Sequence, residues 1–437
     1  MIKCNEMTEI NKKAEFGWVM FDWANSSYSL VISTAIFPTF FIAMTDEFIP
    51  AFGWQISNSS LYAFTIALAY LIVCLVSPVL SGIADFGGSR KKFMRIFTTT
   101  GSLACMSLFF FNGMNTLWIG VLGFLIASMS HAGSLVFYDA YLADMVPPKR
   151  SDKLSAKGYA FGYIGSVILL VFNIAMIQKP GWFGISEQQV AEHLPVRFAF
   201  FSVGAWWLGF SQFSFAYLPK DREKAHKETS LQHGLHELRN AWKRIRSNQD
   251  LKAYLLSFYC YSAGVQTVVY LASPFAQKEL HFESSDLVVV ILILQLVAIA
   301  GAYLFAAVSK RTNNFTSMKV MLALWVLICI LAYCVQTQKQ FYYIAGLVGM
   351  VIGGIQALSR STFAKLIPKD RNDITCFFSF YDVVYYMSVI SGTFLFGLVE
   401  QLTGSMRNSV ITVILFFAMG FIFLSRVNPQ ALPPKHD

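Results

Sequence analysis

The sequence predicts an all-α integral membrane protein, with twelve transmembrane helices in two pseudo-symmetric six-helix halves. Three observations predict it. Apolar residues make up 55% of the 437, aromatic residues 16% and charged residues only 14%, where average globular chains carry about 25% charged. So little charge cannot cover the surface of a soluble fold this large. Apolar runs recur along the whole chain, most of them 18 residues or longer, the length a helix needs to cross a bilayer. The polar residues between the runs repeat at an offset of 221 positions. Lipid offers no partner to an unpaired backbone group, so spanning segments fold as helices. The short alternating strands of a membrane barrel are absent.

The runs lie at 16–43, 59–84, 93–113, 116–143, 156–178, 197–218, 251–276, 286–309, 317–336, 341–366, 375–400 and 408–426. The polar segment before the first has no h-region and no cleavage site, so the first run is expected to stay as a span. The longest polar stretch, 219–250, separates runs six and seven. It carries Leu231, Leu235, Leu238, Trp242 and Ile245 at helical spacing, with Lys and Arg over much of the rest. This reads as an amphipathic helix on the inner membrane face, with a solvated linker as the alternative. The expected organisation is a half over 1–218, a linker over 219–250 and a second half over 251–437.

Lys and Arg set the orientation. Loops on the side of the N-terminus hold 28 of the 34 and the opposite loops hold five, leaving Arg360 inside a span. That split places both termini in the cytoplasm of a multi-pass protein of the cytoplasmic (inner) membrane. It also accounts for the net charge of +9 without a nucleic-acid partner. The seven Cys include no C-x-x-C pair, so no disulfide framework, metal or cofactor is called for. No H-E-x-x-H, G-x-S-x-G or Walker loop occurs, which disfavours an enzyme and a nucleotide-driven pump.

The halves repeat. Ala143-Asp144-Met145-Val146-Pro147-Pro148-Lys149-Arg150 follows span four, and Ala364-Lys365-Leu366-Ile367-Pro368-Lys369-Asp370-Arg371 follows span ten. The same offset carries Arg90 onto Arg311. Two parallel six-span repeats are the architecture of the major facilitator transporters. The loop after span two, with Gly82, Asp85, Gly87, Gly88 and Arg90, resembles the loop motif of that superfamily. Phe86 stands where an Arg commonly follows the Asp. Further stretches are similar to one branch, the vacuole effluxer (autophagy-related) family and its bacterial relatives. They are Asp22-Trp23-Ala24-Asn25-Ser26 in span one, Gly158 to Gly165 in span five, Gly353 to Ser361 in span ten and Phe377 to Asp382 in span eleven. The resemblance implies a secondary transporter. The yeast member's link to amino-acid export makes amino acids the leading substrate class. One departure is Ala263 in span seven, where relatives often carry Asp.

Charges inside spans cost roughly 2.5–3.5 kcal/mol each on insertion scales and are functional candidates by default. In span one, Asp22, Ser26, Ser29 and Ser33 fall within about 60° of one another on an α-helix, a polar stripe facing either the bundle interior or a packed neighbour. Span seven has a similar stripe of Tyr259, Ser262, Gln266 and Tyr270. Span four carries His131, Ser134, Tyr138 and Tyr141 on one side and Asp139 on another. His131 is either a proton carrier or a hydrogen-bonded structural residue. The resemblance implies that spans one, four, seven and ten line the path. It thereby makes Asp22, Asn25, Ser26, Ser29, His131, Tyr138, Gln266, Gln356 and Arg360 candidate path-lining residues. Gly346, Gly349 and Gly353 are expected to be packing surfaces.

Asp139 and Arg360 are themselves related by the 221-residue offset. Each lies about eight residues before a proline, Pro147 or Pro368, hence at matching depth, roughly 12 Å in at 1.5 Å per residue. Three readings follow: a gate in which the two meet across the path, an Arg360 anchor for a substrate carboxylate, or a lock between Arg360 and Asp382. The function expected is secondary active transport of a small polar solute, amino acids foremost, by alternating access. The alternatives are a carrier of sugars, nucleosides or drugs, and a non-transporting sensor or lipid-handling protein. Expected partners are the solute, membrane lipids and protons as a candidate coupling ion. Substrate identity, direction and oligomeric state stay open.

Overall fold

The computed structural model describes residues 2–51, 54–221, 231–282, 284–368, 373–403 and 405–432. Among them the chain forms twelve long helices at the predicted places. The first runs through Ile2–Ser27, Tyr28–Ile36 and Phe37–Met44. The second to sixth are Asn58–Gly87, Arg90–Ser107, Leu117–Met145, Pro148–Gln178 and Leu194–Tyr217. The seventh to twelfth are Gln249–Leu280, Ser284–Arg311, Asn314–Cys334, Gln338–Leu366, Ile374–Thr403 and Met406–Ser425. Ten of them are apolar enough as well as long enough to cross a membrane. The sixth is long enough but diluted by Ser, Gln and Trp, and the seventh runs over 32 residues.

Local chemistry sets the ends. Gly88 turns to a positive φ of 66° and stops the second helix, a conformation that favours glycine. Asn248 caps the seventh by accepting from Leu251 N, and Thr337 with Gln340 forms a capping box on the tenth.

Two local features stand beside the α-helices of this fold. Residues Tyr28–Ile36 wind as a π-helix inside the first span. A two-stranded antiparallel hairpin, Phe48–Ala51 and Trp54–Ser57, links the first and second spans with Phe48 opposite Ser57.

The chain divides into two compact units. One contains 1–77, 88–138 and 161–223, and the other contains 78–87, 139–160 and 224–437. The grouping crosses the expected boundaries, because the ends of the second, fourth and fifth helices belong with the C-terminal half. In the first unit the core is aromatic: Phe37 stacks on Phe124 at 4.5 Å, and Trp18 and Trp207 are fully buried. In the second, the eighth and tenth helices approach backbone to backbone. Gly349 faces the Leu294 backbone, Gly353 faces Ala298, and Gly301 faces Met350, leaving no room for a Cβ at any of the three. Small residues permit such contact between membrane helices. Gly346, expected on the same face, has open space around it.

The linker contains the helix Leu231–Ser247. Ala241 and Ile245 are buried, Trp242 lies 5.4 Å from Phe380, and Arg244 forms an ion pair with Asp373. Part of the face expected to lie on the membrane therefore packs on the eleventh helix. The linker segment 222–230 and the end of the second repeat motif (Lys369, Asp370 and Arg371) lie outside the described residues.

Candidate functional site

The first unit holds a polar site around Asp22. Tyr138 Oη donates to Asp22 Oδ2 at 2.7 Å, bringing together two residues that the sequence offered separately. The Tyr138 ring stacks on Trp18 at 4.6 Å, and Trp18 Nε1 donates to the Tyr138 carbonyl. The phenol is thus stacked on Trp18 and points its hydroxyl at an aspartate that is only 4% exposed. One turn on, Asn25 is buried and its Oδ1 meets no donor among the described residues. A buried amide oxygen without a partner is costly to keep.

The other residues of the expected stripe have different surroundings. Ser26 backs onto Gly162 of the fifth helix, where a Cβ would collide with its hydroxyl. Beyond Ser27 the chain winds as a π-helix, and Ser29 is exposed there. A π-segment in an α-helix frequently accompanies function; no hydropathy pattern announces it. His131 is half-buried among rings, 5.3 Å from Tyr28 and 6.1 Å from Trp207. Gln266 is buried and Gln356 half-buried in the second unit. Ala263 is fully buried where the seventh helix meets Gly392 of the eleventh.

The second unit is organised by three buried acids. Asp139 accepts from Arg360 Nη1 at 3.1 Å, and the arginine is 2% exposed. The other edges of the guanidinium are also engaged. Nε donates to Ser155 Oγ at 3.1 Å and Nη2 to the Ser155 carbonyl at 3.2 Å, while the ring of Tyr159 lies 4.2 Å from Cζ. Ser155 donates in turn to the Ala357 carbonyl. Here Ala156, Ala302 and Ala357 form a small-residue contact that lets the fifth, eighth and tenth helices approach. Arg360 thereby joins the fourth, fifth and tenth helices.

The second acid, Asp152, was not singled out by the sequence. Its Oδ1 accepts from Lys365 at 2.6 Å, Ser361 at 2.7 Å and Asn314 at 2.8 Å, and its Oδ2 accepts from Ser309 at 3.0 Å. Lys365 also donates to Asn314 Oδ1, and Asn314 donates to Thr362. Asp85 of the loop motif is the third. It accepts from Thr375 Oγ1 at 2.5 Å and from Cys376 N at 3.0 Å, placing a carboxylate on the positive end of the eleventh helix. Gly82 is buried beside it, and Gly87, Gly88 and Arg90 are half-buried around the turn. In the first unit Asp221 does the same for the third helix, accepting from Lys91 N and Lys92 N. Asp382 is buried in the eleventh helix; no ion pair joins it to Arg360 among the described residues.

The family described as "Vacuole effluxer Atg22 like" matches residues 10–431. The MFS-type transporter YxiO of Bacillus subtilis (strain 168) is 33% identical over 423 residues, 95% of each chain. Autophagy-related protein 22 of Kluyveromyces lactis is 25% identical over 404 residues, 84% of this chain and 79% of that one. Among solved structures, the human organic anion transporter MFSD10 matches with a TM-score of 0.70 at 14% identity, covering 96% of this chain and 99% of that one. The E. coli fucose:proton symporter FucP matches with a TM-score of 0.69 at 14% identity, covering 96% and 98%. The structural matches show the major facilitator fold.

Proposed function

The chain belongs to the vacuole effluxer Atg22-like family and is a multi-pass membrane transporter of the major facilitator type; on that premise we propose that it carries a small polar solute, amino acids foremost, by alternating access. The observation that carries the reading is the buried Arg360–Asp139 pair. Charges this far inside membrane helices are expensive, and they are kept where they act.

In this reading the pair is a gate. It is joined while one end of the path is closed and separates when that end opens. The occupancy of the guanidinium favours the gate over an anchor, because its nitrogens are already committed to Asp139 and Ser155. A solute carboxylate would have to displace one of them. The lock with Asp382 is disfavoured by the choice of Asp139 as partner.

Asp22, held by Tyr138, and Asn25, with its open acceptor, are the proposed solute or proton contacts in the first span. By the Lys and Arg split, both termini and the linker face the cytoplasm. A reporter near Lys227 or after Asp437 should therefore report the inside, and an external signal overturns the orientation.

Uptake of labelled amino acids into proteoliposomes tests the function. A panel of solutes read by thermal stabilisation of the purified protein identifies the ligand, since binding to the folded state alone raises stability. Stabilisation by sugars or nucleosides and not by amino acids replaces the substrate class. Binding with no flux favours a sensor.

A further inference from the structure

The linker helix Leu231–Ser247 has a second face that solute transport leaves without a task. Ala241 and Ile245 are buried, and Arg244 is held by Asp373. The other side is open. Leu235 is 45% exposed and Trp242 53%, and Arg239, Lys243 and Arg246 are exposed as well. At the α-helical step Trp242, Leu235, Arg246, Arg239 and Lys243 follow one another within about 100° of arc. Glu237, the one acid of the helix, is half-buried and lies outside that arc. None of the described residues forms an ion pair with the three cations. The arc thus presents three positive charges and two apolar side chains with no acid among them.

Depth decides what can cover it. The Trp242 ring lies 5.4 Å from Phe380. Phe380 is six residues inside the span Ile374–Val399, about 9 Å along a helix that rises 1.5 Å per residue. The exposed shoulder therefore stands beside the end of a spanning helix, where hydrocarbon gives way to headgroups. Trp favours that boundary, since its ring is apolar and its N–H polar. Lys and Arg keep their stems on apolar surface there and reach outward with their charge. A neutral headgroup leaves three cations uncompensated, and a soluble acidic partner gives Leu235 and Trp242 nothing apolar to enter. Negative headgroups over acyl chains meet both demands.

We propose that the linker helix docks on anionic phospholipid, with Leu235 and Trp242 in the interface and Arg239, Lys243 and Arg246 on headgroup phosphates. The Arg244–Asp373 pair and the Trp242–Phe380 contact hold one side of the helix, and lipid charge holds the other. How firmly the linker is seated then depends on the composition of the leaflet beside it. Each cation is worth about fivefold in affinity for an anionic surface, so the three together are worth on the order of 100-fold. The attraction is screened by salt.

Hydrogen exchange of the purified full chain tests this, in nanodiscs of phosphatidylcholine alone and of phosphatidylcholine mixed with phosphatidylglycerol. The readout is the exchange rate of amides 235–247, followed by peptide mass spectrometry. The expected result is exchange slowed about tenfold or more by phosphatidylglycerol, with the protection lost at high salt. It is also lost in the triple variant Arg239→Gln, Lys243→Gln, Arg246→Gln, whose thermal stability in phosphatidylcholine stays that of wild type. Arg239→Lys with Arg246→Lys keeps the charge and keeps the protection, which separates loss of charge from loss of fold. Trp242→Ser reduces the protection with the charges intact. Equal exchange in the two discs overturns the proposal. Protection that survives the triple variant puts the anionic lipid elsewhere and overturns it too. Equal protection in phosphatidylcholine discs by inorganic phosphate or by polyglutamate makes the arc a site for a soluble anion, and the lipid is then the wrong occupant. No transported solute enters these measurements, so their failure is distinct from failure of the transport reading.

Discussion

The tenth helix enters two buried ion pairs, and they are built in opposite ways. At the first, the cation is the hub: Arg360 reaches Asp139, both polar groups of Ser155 and the ring of Tyr159. At the second, the anion is the hub: Asp152 gathers Lys365, Ser361, Asn314 and Ser309. The difference lies in what remains when one partner goes. Removing Arg360 takes a counter-charge from Asp139 and a donor from each oxygen of Ser155 at once. Removing Lys365 leaves Asp152 with three neutral donors. The first pair is brittle and the second redundant. A pair that must break and reform during a cycle gains from being all-or-none, whereas a joint that must hold gains from spare bonds.

The largest effect should come from breaking the brittle pair. Arg360→Ala is expected to cost about 3–5 kcal/mol, the range for stranding one member of a buried pair, measured by thermal unfolding, and to abolish transport. Arg360→Lys keeps the charge without the planar fork and should fall between Ala and wild type in both measurements. The swap Asp139→Arg with Arg360→Asp sharpens the point. A gate predicts that each single change impairs transport and the swap restores part of it. A swap no better than the singles, combined with loss of solute binding in Arg360→Lys, makes Arg360 an anchor. Rescue of Arg360 changes only by changes at Asp382 makes it a lock.

The redundant pair should give a smaller effect. Lys365→Ala is expected to cost about 1–3 kcal/mol, the range for an impaired buried hydrogen-bond set, with transport retained. Asp152→Ala removes the hub and should cost more than Lys365→Ala, because Ser361, Asn314 and Ser309 lose their shared acceptor together. If Lys365→Ala proves as damaging as Arg360→Ala, the distinction between the two pairs collapses.

The same contrast explains what the sequence made legible. Arg360 stands alone in an apolar run, and its cost in lipid draws attention to it. The 221-residue offset then points to Asp139 at the same depth. Asp152 and Lys365 lie at helix ends, where charges are ordinary, so nothing in their spacing separates a buried hub from a solvated loop. The twelve spans were legible because hydrophobic length is a one-dimensional property. The π-segment Tyr28–Ile36 was not, because a change of helical pitch leaves apolar length intact. Trp242 and Ile245 announced an amphipathic helix, but periodicity gives only the apolar face. The aromatic and charged contacts with Phe380 and Asp373 decided what covers it.

Asp22 offers the finest test, because it is a buried acid held by a neutral donor. Asp22→Asn preserves shape, and the amide oxygen can still accept from the Tyr138 hydroxyl that now meets Oδ2. Exchanging a charge-assisted bond for a neutral one costs roughly 1 kcal/mol, and removing a desolvated charge offsets part of that. Thermal stability should therefore stay within about 1 kcal/mol of wild type, the smallest change of the series. Transport should fall sharply if the charge of Asp22 meets the solute or a proton. Tyr138→Phe separates the two contributions. It removes the donor and keeps the Trp18 stack, so the carboxyl group stays in place of the amide but loses this hydrogen bond. A transport defect in Asp22→Asn that Tyr138→Phe does not share assigns the role to the charge. Equal defects assign it to the hydrogen bond. Full activity in both returns Asp22 to helix packing and leaves the Arg360 pair to carry the functional reading alone.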